Sequence, residues 1–136
     1  DGISGHPDHI AISHLTTAAV RSAGLPERFP EHLKEGLDPH QPTKLYYLAL
    51  PQSLVRELGR DIPGTPDEEI TTIIDVSPYA ETKIKALHCH RTQVSDYTRF
   101  LEHVPPRRLE KEYYYLAIPV PEGKHGIETD LFADLD

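Results

Sequence analysis

The sequence predicts an α/β domain, and three observations carry the prediction. From Lys44 onward, strand-like and helix-like runs alternate. The strand-like runs, KLYYLAL, ITTIIDV and KEYYYLAIPV, are rich in aromatic and β-branched residues. The 13 prolines and 8 glycines punctuate the chain and fall largely between the runs. Three strands and three helices are too few for a sheet covered on both faces, and the opening helix has no strand before it. The pattern therefore reads as the back half of a larger α/β layer.

The elements follow in order. DHIAISHLTTAAVRSA, residues 8–23, predicts the first helix. Ile12, Leu15, Ala19 and Ser22 share one stripe, with Ile10 and Ala18 beside it. Pro7 suits a first turn and Gly24 a stop. Residues 25–43 hold four prolines and two histidines and read as a loop. KLYYLAL, 44–50, has no polar gap and predicts a strand buried on both faces, ended by Pro51. QSLVRELG, 52–59, is a short helix, and 60–69 a turn-rich connector. ITTIIDV, 70–76, is the second strand. Ser77 as N-cap and Pro78 at the first position open a helix to about residue 92, with Ala80, Ile84 and Leu87 inward. Residues 95–103 continue helically, Pro105 and Pro106 break the chain, and 111–120 form the third strand. The acidic tail is read as short helix or coil.

The totals limit the function. A length of 136 residues is ordinary for one domain and long enough for a real core. A formal charge of −8 argues against nucleic acid or an anionic membrane as partner. No apolar run reaches the length of about 18 residues that spans a bilayer, and no secretory leader is visible. Cys89 is the single cysteine, which excludes an internal disulfide and a cysteine-based zinc site and fits a reducing, cytoplasmic setting. The chain has no methionine and opens on what reads as mid-protein sequence, so a processed piece, or half of a two-part protein, is expected.

The chemistry concentrates in GHPDHIAIS, residues 5–13. His6 and His9 are three apart, with Asp8 between them. On a helical backbone both rings could face one centre, and imidazole is a good zinc ligand. A loop-to-helix transition at Pro7 would instead point the rings apart, so that one could bind metal while the other acts on a substrate. Asp8 could hold a ring nitrogen as a supporting carboxylate. A metal site, an acid/base pair and a polar helix start all remain open from these residues alone. Cys89, mid-helix, reads as a small core residue, and its neighbours His88 and His90 point too far apart to share a metal with it. His14, His32, His40, His103 and His125 read as solvated or capping.

Two stretches together carry a resemblance. GHPDHIAIS is similar to the second motif of the LmbE/PIG-L family of zinc-dependent deacetylases. KIKALHCHRTQ, 83–93, resembles the family's later helix at Lys83, Ala86, His90, Thr92 and Gln93. KLYYLAL sits where the family has its aromatic strand, and the resemblance covers residues 2–120. It implies a Rossmann-like three-layer α/β sandwich, of which residues 1–136 would be only the C-terminal part of a single domain. It implies zinc-dependent removal of an N-acetyl group from an amino-sugar-containing small molecule. His9 would be a zinc ligand, His6 the protonated stabiliser of the oxyanion, and Asp8 the residue that orients His6. The family's N-terminal His-Pro-Asp-Asp motif is absent, so this polypeptide alone should bind zinc poorly and not turn over. Ile3, Ser4 and Gly5 stand where some members carry an aromatic residue before the first histidine. The competing expectations are a non-catalytic α/β module of the same fold, and an amidase acting on a thiol-sugar conjugate. A bare sheet edge is expected to pair with the missing half or with another copy of the chain.

Overall fold

Helix α1 (Pro7–Ala23) begins with Pro7 in its first turn and His6 as the capping residue. In this computed structural model the described residues are 2–3, 5–104, 106–121, 123 and 126–135; the side chains of 96, 97, 99, 100, 103, 106 and 107 lie outside the description. The expectations for Ser4, His103, Pro105 and His125 therefore fall outside the described residues.

The face that α1 turns inward differs from the predicted stripe. Ile10, Ser13, Thr17 and Val20 are half-covered, whereas Ile12 is 60% and Leu15 66% exposed. Polar anchors decide this orientation. Thr17 Oγ1 lies 2.5 Å from Tyr47 Oη, and Gln41 Nε2 donates to Val20 O at 2.9 Å. Gly24 ends the helix as expected, but with φ −86° it is not left-handed. Its missing Cβ makes room instead: one built there would sit 2.6 Å from Gln41 Oε1.

The stretch 25–43, read as a loop, carries a 3₁₀ turn at Pro26–Arg28 and a short helix α2 (Pro30–Lys34); after it the predicted order holds: β1 (Leu45–Ala49), α3 (Gln52–Glu57), β2 (Thr72–Asp75), α4 (Ala80–His88), α5 (Val94–His103) and β3 (Lys111–Ile118). The sheet order is β1-β3-β2, and both pairings are antiparallel, so β1 and β2 run parallel to each other on either side of the last strand. Tyr47 pairs with Tyr115 and Thr72 with Tyr114. The arrangement is a mixed helix-and-sheet α/β fold.

Four local expectations are corrected. β1 is an edge strand, with only Ala49 buried and Leu48 51% exposed, because no described element pairs with its outer side. Ser77 does not cap the next helix. Asp75 Oδ1 accepts from Ser77 N–H at 2.9 Å, an Asx turn that leads into a 3₁₀ turn at Ser77–Tyr79 before α4. Helix α4 stops at His88, so Cys89 caps its end and is exposed rather than packed in the core. The tail is neither helix nor free coil. Glu128 N–H donates to Thr71 O and Ile73 N–H to Glu128 O, both at 2.9 Å, which lays the tail along β2.

Among the described residues, Ala49, Leu54, Val55, Ile70, Val104, Leu109 and Leu116 are the buried apolar ones. No helix among the described residues is long and apolar enough to cross a membrane.

Candidate functional site at the start of helix α1

His6, Asp8 and His9 are brought together by the first turn of α1. The backbone of His6 is extended, φ −66° and ψ 133°, and its Nδ1 accepts from Asp8 N–H at 3.2 Å. The ring so held is the tautomer with its proton on Nε2. Asp8 Oδ2 stands 3.9 Å from the same Nδ1, within ion-pair reach but too far for a hydrogen bond. Both side chains are exposed, at 59% for His6 and 89% for Asp8. The His6 and His9 rings lie 5.4 Å apart, centre to centre, and are tilted by 48°.

His9 lines a cleft of about 300 Å³ with Gly2, Ile3, Ile12 and Ser13, opposite β1. His6 is not part of that lining. Gly2 fixes how the chain meets the helix. It has φ +68°, and a Cβ on it would lie 2.6 Å from His9 C and Ile10 N. Only glycine lets the backbone pass this close to the His9–Ile10 peptide.

The donors at the start of α1 fall short of a metal site by themselves. Among the described residues no three His, Cys, Asp or Glu side chains converge on one centre. A catalytic zinc usually takes three protein ligands; this chain offers His9 at the cleft, with His6 beside it.

Two polar clusters elsewhere brace the sheet. Glu128 accepts from Lys44 Nζ at 2.9 Å, Tyr46 Oη at 2.6 Å and Thr72 Oγ1 at 3.0 Å. Thr72 is fully buried. Burial pushes the Glu128 carboxyl up, but the bonds from Tyr46, Lys44 and Thr72 outweigh it and hold the group below its ordinary value. The bond to Glu128 in turn raises Lys44. On the other side, Glu112 accepts from Lys83 Nζ at 2.7 Å and Tyr114 Oη at 2.5 Å. These bonds lower Glu112, while burial and then the Glu112 bond push Tyr114 up to about 12.

The other singled-out residues stay apart from the cleft. Lys83 serves the sheet through Glu112, and Ala86, His90, Thr92 and Gln93 are exposed at the end of α4 and beyond. His14, His88 and His90 are exposed, and His32 stacks on Phe29 at 5.6 Å. Sequence reading missed Gly2, Thr17, Tyr47 and Glu128. Only Gly2 carried a local signal, as one of two glycines preceding the motif.

The site's geometry can be set beside known proteins. The chain is 37% identical over 143 residues to "1D-myo-inositol 2-acetamido-2-deoxy-alpha-D-glucopyranoside deacetylase 2" of Saccharopolyspora erythraea, covering 97% of this chain and 51% of the relative. It is 37% identical over 155 residues to the deacetylase of the same substrate name from Thermobifida fusca, covering 98% and 52%. The likeness to the Rhodococcus opacus deacetylase is 40% over 156 residues, covering 98% and 51%. Its relatives are amino-sugar deacetylases. The chain spans about half the length of the curated relatives it matches. No family model matches the chain, and no solved structure does.

Proposed function

We propose that this chain is the C-terminal part of a zinc-dependent N-deacetylase of the LmbE/PIG-L family, with a Rossmann-like fold in the complete protein. The substrate is an N-acetylated amino-sugar conjugate. The observation that carries the reading is the placement of His6, Asp8 and His9 on one helix start, with His9 in a cleft wall, in a chain whose relatives are named as deacetylases of a 2-acetamido sugar. Those names favour an acetamido sugar over a thiol-sugar conjugate. His9 would hold the zinc together with ligands from the polypeptide beyond this chain. A zinc ion there supplies Lewis acidity, polarising the acetamide carbonyl and lowering the pKa of water to about 7.

The chain's own residues then have defined work. With Nδ1 engaged by the Asp8 amide, His6 would offer Nε2–H as a donor to the oxyanion that develops on the acetyl carbonyl oxygen. The Asp8 carboxylate, 3.9 Å from the same nitrogen, would help to orient the ring, as a supporting carboxylate does. A preorganised donor of this kind is worth about 100- to 1000-fold in rate. In the complete protein, His6→Ala should lower turnover of an N-acetylated amino sugar by about that factor while zinc stays bound. Unchanged turnover would refute the role of His6.

A further inference from the structure

We infer that the cavity between the C-terminal tail and the turn after β3 binds a small hydroxylated amine, an amino sugar whose nitrogen is free and protonated. The inference takes from the reading above only the choice of a sugar as the carrier of the amine. The cavity has a volume of about 790 Å³, in the range of small-molecule sites. It shares no lining residue with the His9 cleft.

The polar lining falls into two sets. One set is already bonded. Lys44 Nζ donates to Glu128 Oε1 at 2.9 Å and to Ala133 O at 2.7 Å, and Glu128 Oε2 accepts from Tyr46 and Thr72. Thr71 Oγ1 accepts from Leu116 N–H at 2.7 Å. The other set is the Thr43 hydroxyl and the Asp134 carboxylate. Both residues line the cavity, and neither side chain has a partner among the described residues. The Lys44 and Glu128 charges cancel, so Asp134 leaves one uncompensated negative charge on the described lining. That charge, in a chain of net −8, favours a cation over an anion.

The backbone of Asp134 is fixed. It lies in the left-handed region, φ +56°, which few non-glycine residues adopt and which marks a local demand. The Lys44 bond to Ala133 O pins the residue just before it, and Lys44 is itself only 10% exposed. Leu116, Pro119, Val120 and Pro121 complete the lining with C–H surface. A pyranose ring matches this mixture, with C–H faces for the prolines, hydroxyls for Thr43 and an ammonium for Asp134. N-acetylation removes the positive charge, so the cavity prefers the deacetylated sugar. On the reading above, that is the product of the reaction.

Amide chemical shifts of the complete protein, titrated with glucosamine and with N-acetylglucosamine, test this. Glucosamine should shift the amides of Thr43, Lys44, Gly126, Glu128 and Asp134 saturably, with a Kd of about 1 mM for a ligand of this size. N-acetylglucosamine should bind at these residues at least about fivefold more weakly. Asparagine tolerates the left-handed backbone as aspartate does, so Asp134→Asn tests the charge alone. It should weaken glucosamine by the same factor and leave both N-acetylglucosamine binding at these residues and turnover unchanged. Thr43→Val should weaken both sugars by about 2- to 10-fold. His9→Ala should leave the shifts at the cavity intact. No shift at these residues up to about 10 mM, ten times the expected Kd, would overturn the inference. So would equal affinity for the two sugars, unchanged glucosamine binding in Asp134→Asn, or shifts confined to the His9 cleft. Glucosamine bound at the cavity of a protein without deacetylase activity would sink the functional reading and keep this one; deacetylation with no shift at the cavity would do the reverse.

Discussion

Replacing Glu128 with glutamine should loosen the C-terminal segment from the sheet. The carboxylate accepts three side-chain bonds, from Lys44, Tyr46 and Thr72. A glutamine keeps one oxygen and turns an NH₂ toward either the ammonium or the two hydroxyls. At least one charge-assisted bond is lost, at about 1.5–3 kcal/mol. Lys44, only 10% exposed, is left without its counter-charge. Breaking a fully buried pair costs about 3–5 kcal/mol, and the 22% exposure of Glu128 moves the expectation below that, to about 2–3 kcal/mol. Urea unfolding at neutral pH measures it. The pH dependence supplies an internal control. The Glu128 carboxyl is held below its ordinary 4.5 in the folded protein. Its stabilisation is therefore present above 4.5 and is lost as pH falls through the lowered folded value. Parent and Glu128→Gln should differ at neutral pH and converge in acid. A difference under about 0.5 kcal/mol at neutral pH, the scale of an ordinary surface change, would refute the reasoning, as would a gap that persists unchanged in acid.

Two further substitutions test how α1 is held. The Thr17 hydroxyl donates its one proton to Ser13 O at 2.7 Å, so Tyr47 must be the donor in the pair at 2.5 Å. Tyr47→Phe should cost about 1 kcal/mol, and Thr17→Val, which strands the Tyr47 donor, at least as much; a double-mutant cycle showing no coupling would contradict the bond. Gly2→Ala carries a left-handed penalty of about 1–2 kcal/mol and a backbone clash at 2.6 Å, so it should cost more than Gly5→Ala, where φ is +71° and the space is open. Thermal unfolding of the two variants should separate them, and equal losses would remove the argument for Gly2.

Most of the element order was legible because it rests on local signals. The aromatic and β-branched runs marked all three strands, and Pro7 marked the start of α1 within one residue. What escaped depended on contacts distant in sequence. The inward face of α1 was misread because Thr17 and Gln41 anchor it through hydrogen bonds, while Ile12 and Leu15 of its apolar stripe stay more than half exposed. β1 was read as buried on both faces from its composition. The composition suits a strand inside a wider sheet, and within this chain β1 stands at the edge. Glu128 lies in an acidic tail with no periodicity, and its value comes from Lys44, 84 residues earlier. The motif itself was found from spacing, since a helix start brings residues three apart onto one side. Its roles could not be separated from a polar helix start, because ligands outside this chain would leave no local mark.

The central claim is that His9 completes a metal cage shared with polypeptide outside this chain. Zinc content of the complete protein, measured per chain before and after His9→Ala, tests it most directly. The account predicts one tightly held zinc in the parent and its loss in His9→Ala, with the metal retained in His6→Ala. Stoichiometric zinc in His9→Ala, or none in the parent, would contradict it.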